Sequence, residues 1–357
     1  MADVQPFCAV RYSRAAGSLD DLVAPPYDAV DDDERATLYT RSPYNVVHVT
    51  LPESASEAAR LYEDWLAHGV LEHEHERAIW LAVEDYTGPD RVPRQRCGAI
   101  VSVAAEPYET GNVLPHERTH RRIREERLAL LRTTRVQPEP ILLLTDTPIP
   151  LSVPDRSADL GVEGTRLWRI PTSSAFDVGQ LLIADGHHRY ESAVDLGLEL
   201  GGGMRIMALV VSTDDPGLQI FPTHRVFTGR RDLADRRDGE SCPDLDEGMR
   251  RLAEEPYERA AAVVYRSWSV ELVRGAEGEL DTDLVDAHGL DGIRYTPRAE
   301  EAVAAVDRRE ADVAFILRKP RVDDVFAAAR EGRRMPPKST YFHPKPLSGL
   351  LFHPVAP

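Results

Sequence analysis

Apolar residues recur at Ala58, Leu61, Tyr62, Trp65 and Leu66, one face of a helix, and the spacing predicts an amphipathic helix that Gly69 ends. A second helix, strongly basic, is predicted from about Thr119 to Thr133, and a late one around Val322, Val325, Phe326 and Ala329. Asp31-Asp32-Asp33-Glu34 reads as an acidic helix start. Short apolar runs predict strands at Ile79–Val83, Cys97–Val103, Ile141–Leu144, Arg205–Ser212 and Gln219–Phe221. The β-branched run Asn45-Val46-Val47-His48-Val49-Thr50-Leu51 also predicts a strand. Leu181-Leu182-Ile183-Ala184 stops at Asp185-Gly186, and a helix-like segment follows from Glu191 to Leu198. Residues 229–247 are charged, low in apolar content, and read as an exposed connector. The whole predicts an α+β fold with mixed sheets. It reads as one unit over 1–357, with the Pro-rich stretch Thr147–Pro154 as a hinge between lobes 1–146 and 155–357.

Composition narrows the functional classes. The chain has 357 residues, 42% of them hydrophobic, enough for a large core, yet no apolar run approaches the ~20 residues of a membrane helix. A net charge of −17 argues against nucleic acid as the main partner, while leaving room for a local basic pocket that binds a small anion. Cys8, Cys97 and Cys242 are odd in number and widely spaced, which fits a reducing compartment and no metal pair. The first ten residues lack the basic and apolar regions of a signal peptide, and a cytoplasmic location is the expectation.

The segment with the clearest chemistry is Asp185-Gly186-His187-His188-Arg189. A strand, a tight turn and a helix start converge backbone N–H groups on one point, a natural anion site. There Arg189 and the backbone would hold phosphate oxygens, leaving Asp185 for Mg²⁺. The competing reading is a solvated turn. Zinc is disfavoured, because adjacent histidines point apart and no i, i+4 His pair is present. In Pro115-His116-Glu117-Arg118-Thr119, Glu117 reads as a general base or metal ligand and His116 as a substrate contact, against the simpler reading of a basic helix start. Thr223-His224-Arg225 ends an apolar strand, where polar side chains commonly line a cleft. Lys338-Ser339-Thr340 has the order of a P-loop without its glycine cradle, although Lys338 could still pair a phosphate.

Taken in order, Ala24-Pro25-Pro26-Tyr27-Asp28, Asn45-Val46-Val47-His48, Pro115-His116-Glu117-x-Thr119, Asp185-Gly186-His187-His188-Arg189-Tyr190, Pro222-Thr223-His224-Arg225 and Met335-Pro336-x-Lys338-Ser339-Thr340-Tyr341-Phe342-x-Pro344-Lys345 resemble the DUF1015 family. The Asp-Gly-His-His-Arg segment is also similar to the phosphate motif of ParB/sulfiredoxin-like proteins, which places a nucleotide-binding core around residues 181–198. The resemblance implies an ATP- and Mg²⁺-dependent kinase of a free hydroxy amino acid, L-serine first, with nucleotide and small molecule as partners. Gly186, His187, His188, Arg189 and Lys338 are then assigned to the nucleotide, and Asp185 to the metal. Glu117 is the first candidate base and Asp28 the second, with Asp185 and His188 in the catalytic set. His116, Thr119, Thr223, His224, Arg225, Ser339 and Thr340 are assigned to substrate. Two rivals are a nucleotide-binding switch and a metal-dependent hydrolase built on His116, Glu117, His187 and His188. Two departures from the family pattern stand out. Arg124-Glu125-Glu126-Arg127 replaces an expected Lys-x-Asp-Arg, and Glu139 stands where a small residue is expected before Pro140-Ile141.

Overall fold

The Ile141–Thr145 strand is buried throughout, and its residues alternate between two cores. Ile141 and Leu143 face Tyr190, Ala193 and Leu196 of the His187–Glu199 helix. Leu142 and Leu144 face Val325 and Phe326 of the Val322–Arg330 helix. Period-two alternation into two apolar layers is what a strand covered on both sides requires, and it explains why this run reads as continuously hydrophobic. In this computed structural model, which describes residues 1–162, 164–172, 176–336 and 338–355, that strand lies within a nine-stranded sheet.

The sheet runs in the order Val113–Pro115, Leu181–Asp185, Ile141–Thr145, Arg205–Ser212, Pro93–Ala104, Ala78–Thr87, Thr165–Pro171, Leu160–Val162, and Val4–Gln5 also pairs with Pro93–Ala104. It is mixed: Val113–Pro115 and Leu181–Asp185 are parallel, and so are Ile141–Thr145 and Arg205–Ser212, whereas the other pairs are antiparallel. The α+β expectation with mixed sheets holds. A second, six-stranded sheet is antiparallel throughout, with Ile293–Thr296 at one edge beside His224–Phe227. Residues 341–354 lace back onto the first unit. Tyr341–His343 pairs with Gln219–Phe221, His353–Pro354 pairs with Val136–Gln137, and Phe352 bridges Val10.

Three expectations change. Asn45–Leu51 is not a strand; it turns into the short helix Val47–Thr50. Asn45 is buried, its amide donates to the carbonyls of Asp21 (2.8 Å) and Val23 (3.1 Å), and its side-chain oxygen accepts from the N–H of Val47 at 2.9 Å. Those bonds, with Val46, Val47 and Val49 packed into one core, override β-propensity. The Pro-rich stretch 147–154 does not separate lobes, because strands on both sides of it belong to the same sheet; the boundary between sheets falls after Phe221. Residues 229–247 are not a bare connector. They contain the helix Arg231–Ala234, the strand Glu240–Cys242 paired with Ser269–Glu277, and the start of the Leu245–Glu254 helix. Leu233, Ala234 and Cys242 supply the buried contacts that the low apolar content concealed. Among the described residues no helix is long and apolar enough to cross a membrane.

Candidate active site

Two parallel strands place the chemistry. Val113, Leu114 and Pro115 pair in register with Leu181, Leu182 and Ile183, so His116-Glu117 and Asp185-Gly186 leave the sheet side by side at its carboxyl end. Crevices at such strand ends are where open α/β sheets commonly bind ligands. At the turn, Gly186 has φ +96°, and a Cβ there would lie 2.5 Å from Ile141 Cγ2, so only glycine fits without displacement. The His187–Glu199 helix starts immediately afterwards, with the first N–H groups of the helix free of intrahelical partners. The C-terminal strap then crosses this edge. Met335 N–H donates to His116 O at 2.7 Å, Lys338 N–H donates to Glu117 Oε1, and Thr340 Oγ1 lies 2.9 Å from His116 Nε2.

The result is a cleft of about 820 Å³. Of the residues singled out from sequence, it is lined by Asp28, Glu117, Asp185, Gly186, His187, His188, Arg189, Thr223, Lys338 and Thr340. The far wall is the edge strand of the second sheet, from Ile293 to Pro297. Arg118, Arg294 and Lys338 are exposed cations on the lining that form no ion pair among the described residues. Lys338 takes φ +59°, a left-handed conformation uncommon outside glycine.

The carboxylates differ sharply in setting. Burial pushes the Glu117 carboxyl above its ordinary value, against the opposing Lys338 N–H. Asp185 is also buried, which alone would raise it, but Lys345 and Arg189 together hold it below the usual range. Lys345 Nζ lies 3.0 Å from Asp185 Oδ1 and 2.7 Å from Asp28 Oδ2, one ammonium shared by two carboxylates. Arg189 is held on the other side, with Nη2 2.8 Å from Asp185 Oδ2 and Nη1 donating to Pro140 O at 2.9 Å. It therefore braces Asp185 and does not reach out as a free phosphate contact. His188 Nε2 accepts from the N–H of His120 at 2.9 Å, and burial lowers its pKa, consistent with a neutral ring.

Five expected contacts lie away from the cleft. His116 is fully buried behind it; Nδ1 is 2.7 Å from Ile183 O, and burial pushes its pKa down to about 4. Thr119 Oγ1 donates to Glu191 Oε2 at 2.7 Å, tying the strap-side loop to the helix. His224 Nδ1 accepts from Leu317 N–H at 3.1 Å inside the second unit. Ser339 Oγ donates to Pro336 O at 2.7 Å and faces a neighbouring cavity of about 230 Å³. Arg225 is inaccessible; it pairs with Asp286 (Nε–Oδ1 3.1 Å) and donates to the carbonyls of Thr223 (2.5 Å) and Lys338 (3.2 Å). It fixes the backbones that present Thr223 and Lys338. Arg225→Met is accordingly expected to destabilise the fold by about 3 kcal/mol, since it strands a partner carboxylate and two carbonyls. Chemical denaturation of the variant checks this, and an unchanged midpoint would mean that Arg225 is not a brace.

Sequence reasoning assigned no role to Lys345. The available signal was scarcity: the chain has three lysines (Lys319, Lys338, Lys345) among 43 basic residues, and two of the three line this cleft. An ammonium is a compact charge with three rotatable donors, so it can serve two carboxylates at once.

Among solved structures, a conserved hypothetical protein from Pyrococcus furiosus is 18% identical, covering 69% of this chain and 93% of that one, with a TM-score of 0.42. A free serine kinase in complex with AMP is 17% identical, covering 70% and 91%, with a TM-score of 0.44. SbnI with C-terminal truncation from Staphylococcus aureus is 14% identical, covering 68% and 82%, with a TM-score of 0.41. No curated protein matches. The family described as a protein of unknown function, DUF1015, matches residues 4–267, about three quarters of the sequence, and the chain belongs to that family.

Proposed function

We propose that this protein is an ATP-dependent small-molecule kinase that phosphorylates the hydroxyl of a free amino acid, L-serine being the first acceptor to test. One observation carries the phosphoryl-transfer reading. A helix N-terminus, three cations with no ion-pair partner among the described residues and a carboxyl raised by burial line a single cleft. Phosphoryl transfer asks for that set: charge stabilisation along the transferred group and a positioned base, here a carboxyl that burial raises above its ordinary value. The choice of serine follows from the family resemblance.

In this reading the N–H groups at His187 and His188 and the Lys338 ammonium bind the nucleotide phosphates. Arg294 closes over them from the opposite wall. Glu117 takes the acceptor's hydroxyl proton, and the strap holds it in place through the N–H of Lys338. Mg²⁺ takes one or two carboxylates and otherwise phosphate and water oxygens; Asp185 is the residue that would hold it, with Lys345 giving way, and the ion would neutralise charge on the phosphates. The metal-dependent hydrolase is less well supported. Its histidines are committed to backbone groups, and among the described residues no cluster of three or more His, Cys, Asp or Glu side chains is arranged to hold a metal.

The test is transfer from ATP–Mg²⁺ to a panel of free hydroxy amino acids. Formation of a phosphoamino acid is the expected result, with Lys338→Ala raising the KM for ATP by roughly tenfold, the loss of one charge-assisted contact. Nucleotide binding without transfer would favour the switch. No nucleotide binding would overturn the phosphate site itself.

A further inference from the structure

From the buried Glu139 out to the cleft wall, five side chains of alternating charge form one chain. Glu139 Oε2 lies 3.2 Å from Arg189 Nη1, Arg189 Nη2 lies 2.8 Å from Asp185, Asp185 lies 3.0 Å from Lys345 Nζ, and Lys345 lies 2.7 Å from Asp28. Side-chain exposure rises along it from 5% at Glu139 to 34% at Asp28. Tyr27, the neighbour of Asp28, lines one small cavity with Glu139 and Arg189, so the two ends of the chain come near each other. Three acids thus share two cations.

The innermost link is the loosest. Arg189 Nη1 already donates to Pro140 O, and Glu139 Oε2 has no hydrogen-bond partner. That oxygen, Arg189 Nε, Arg127 Nε and Thr50 Oγ1 are all buried without partners and belong to residues lining a cavity of about 60 Å³, room for a water or two. Glu139 is therefore held to Arg189 by charge more than by geometry, and it competes with Asp185 for one guanidinium.

From this geometry we infer that Glu139 is a positioning residue that sets, through Arg189 and Asp185, how tightly Lys345 is held to Asp185 on the cleft wall. With Glu139 charged, Arg189 divides itself between two acids, and Asp185 takes up Lys345 to make good the deficit. With Glu139 neutral, Arg189 serves Asp185 alone and Lys345 is released towards Asp28 and the phosphate site. The polyphosphate part of this inference rests on the proposed nucleotide site, and the lysine part does not.

The experiment uses the full chain with isotope-labelled lysine, whose three side-chain signals are assigned with Lys319→Arg and Lys338→Arg. Glu139→Gln keeps the shape and removes the charge. It is expected to shift and narrow the Lys345 signal while Lys319 stays put, and to tighten pyrophosphate binding by about three- to tenfold, since one negative charge near the site is gone. Glu139→Asp, which keeps the charge on a shorter stem, is expected to return the Lys345 signal part of the way. A merely structural role predicts the reverse, weaker pyrophosphate binding with a lowered melting temperature. An unmoved Lys345 signal, or unchanged or weaker pyrophosphate binding at unchanged melting temperature, would overturn the inference. If the unsubstituted protein binds neither pyrophosphate nor ATP, the nucleotide site fails, and the Lys345 signal alone decides the positioning role.

Discussion

Glu117→Gln is expected to lower the rate of phosphoryl transfer by roughly 10²–10⁴-fold, the range for removing a positioned general base, with nucleotide affinity little changed. Gln keeps an oxygen for the Lys338 N–H, so the strap stays in place, and only the ability to take a proton is lost. The pH dependence has a definite sign. Burial raises the carboxyl above its unfolded value, so the base is charged above the raised pKa, and activity falls as pH drops through it. The same shift works against stability above that pKa, because the folded state must keep a buried carboxylate ionised. Stability is regained as pH falls from the raised pKa towards the unfolded one. Glu117→Gln removes that penalty, so the variant should be slower yet more stable at neutral pH, and its residual rate should lose the acid limb. Steady-state pH–rate profiles and thermal melts of both proteins check this. An unchanged rate would pass the role of base to Asp28, the second carboxylate on the cleft.

How much of this was legible depends on the range of the interaction. The Leu181–Asp185 strand, the Gly186 turn and the helix behind it are written within twenty consecutive residues, and so were readable. The pairing of Val113–Pro115 with Leu181–Asp185 joins residues 68 apart, and nothing local marks it. His116, His224 and Arg225 have the residue types of a binding site, but backbone carbonyls, an N–H and Asp286 claim them in the interior. Residue type alone cannot separate a histidine that meets a ligand from one that meets a carbonyl. The opposite error hid Arg294, which lies on a short, polar edge strand with little apolar signal. Lys345 and Glu139 carry meaning only as neighbours of Asp185 and Arg189, and the place of Lys345 in the chain of charges comes from the tertiary return of the C-terminal strap.

Gly186→Ala is expected to cost about 3–5 kcal/mol of stability and to weaken nucleotide binding by more than tenfold. Two effects add. A side chain at φ +96° is strained by roughly 1–3 kcal/mol, and the new Cβ would meet Ile141 Cγ2 at 2.5 Å and Cβ at 2.9 Å, an overpacking of similar size. Ile141 cannot retreat easily, because it is fully buried against the helix that Gly186 begins. The accommodation left is for the turn to lift away from the sheet. That movement would carry the N–H groups of His187 and His188 off the phosphate position, which is why binding suffers with stability. A double-mutant cycle separates the two effects. Ile141→Ala removes the clashing methyl, so it should be less harmful in the Gly186→Ala background than alone, by about 1–2 kcal/mol, while the strain from positive φ remains. Strict additivity would show that the clash is relieved some other way, and binding retained in a destabilised Gly186→Ala protein would show that phosphate is not held at this turn.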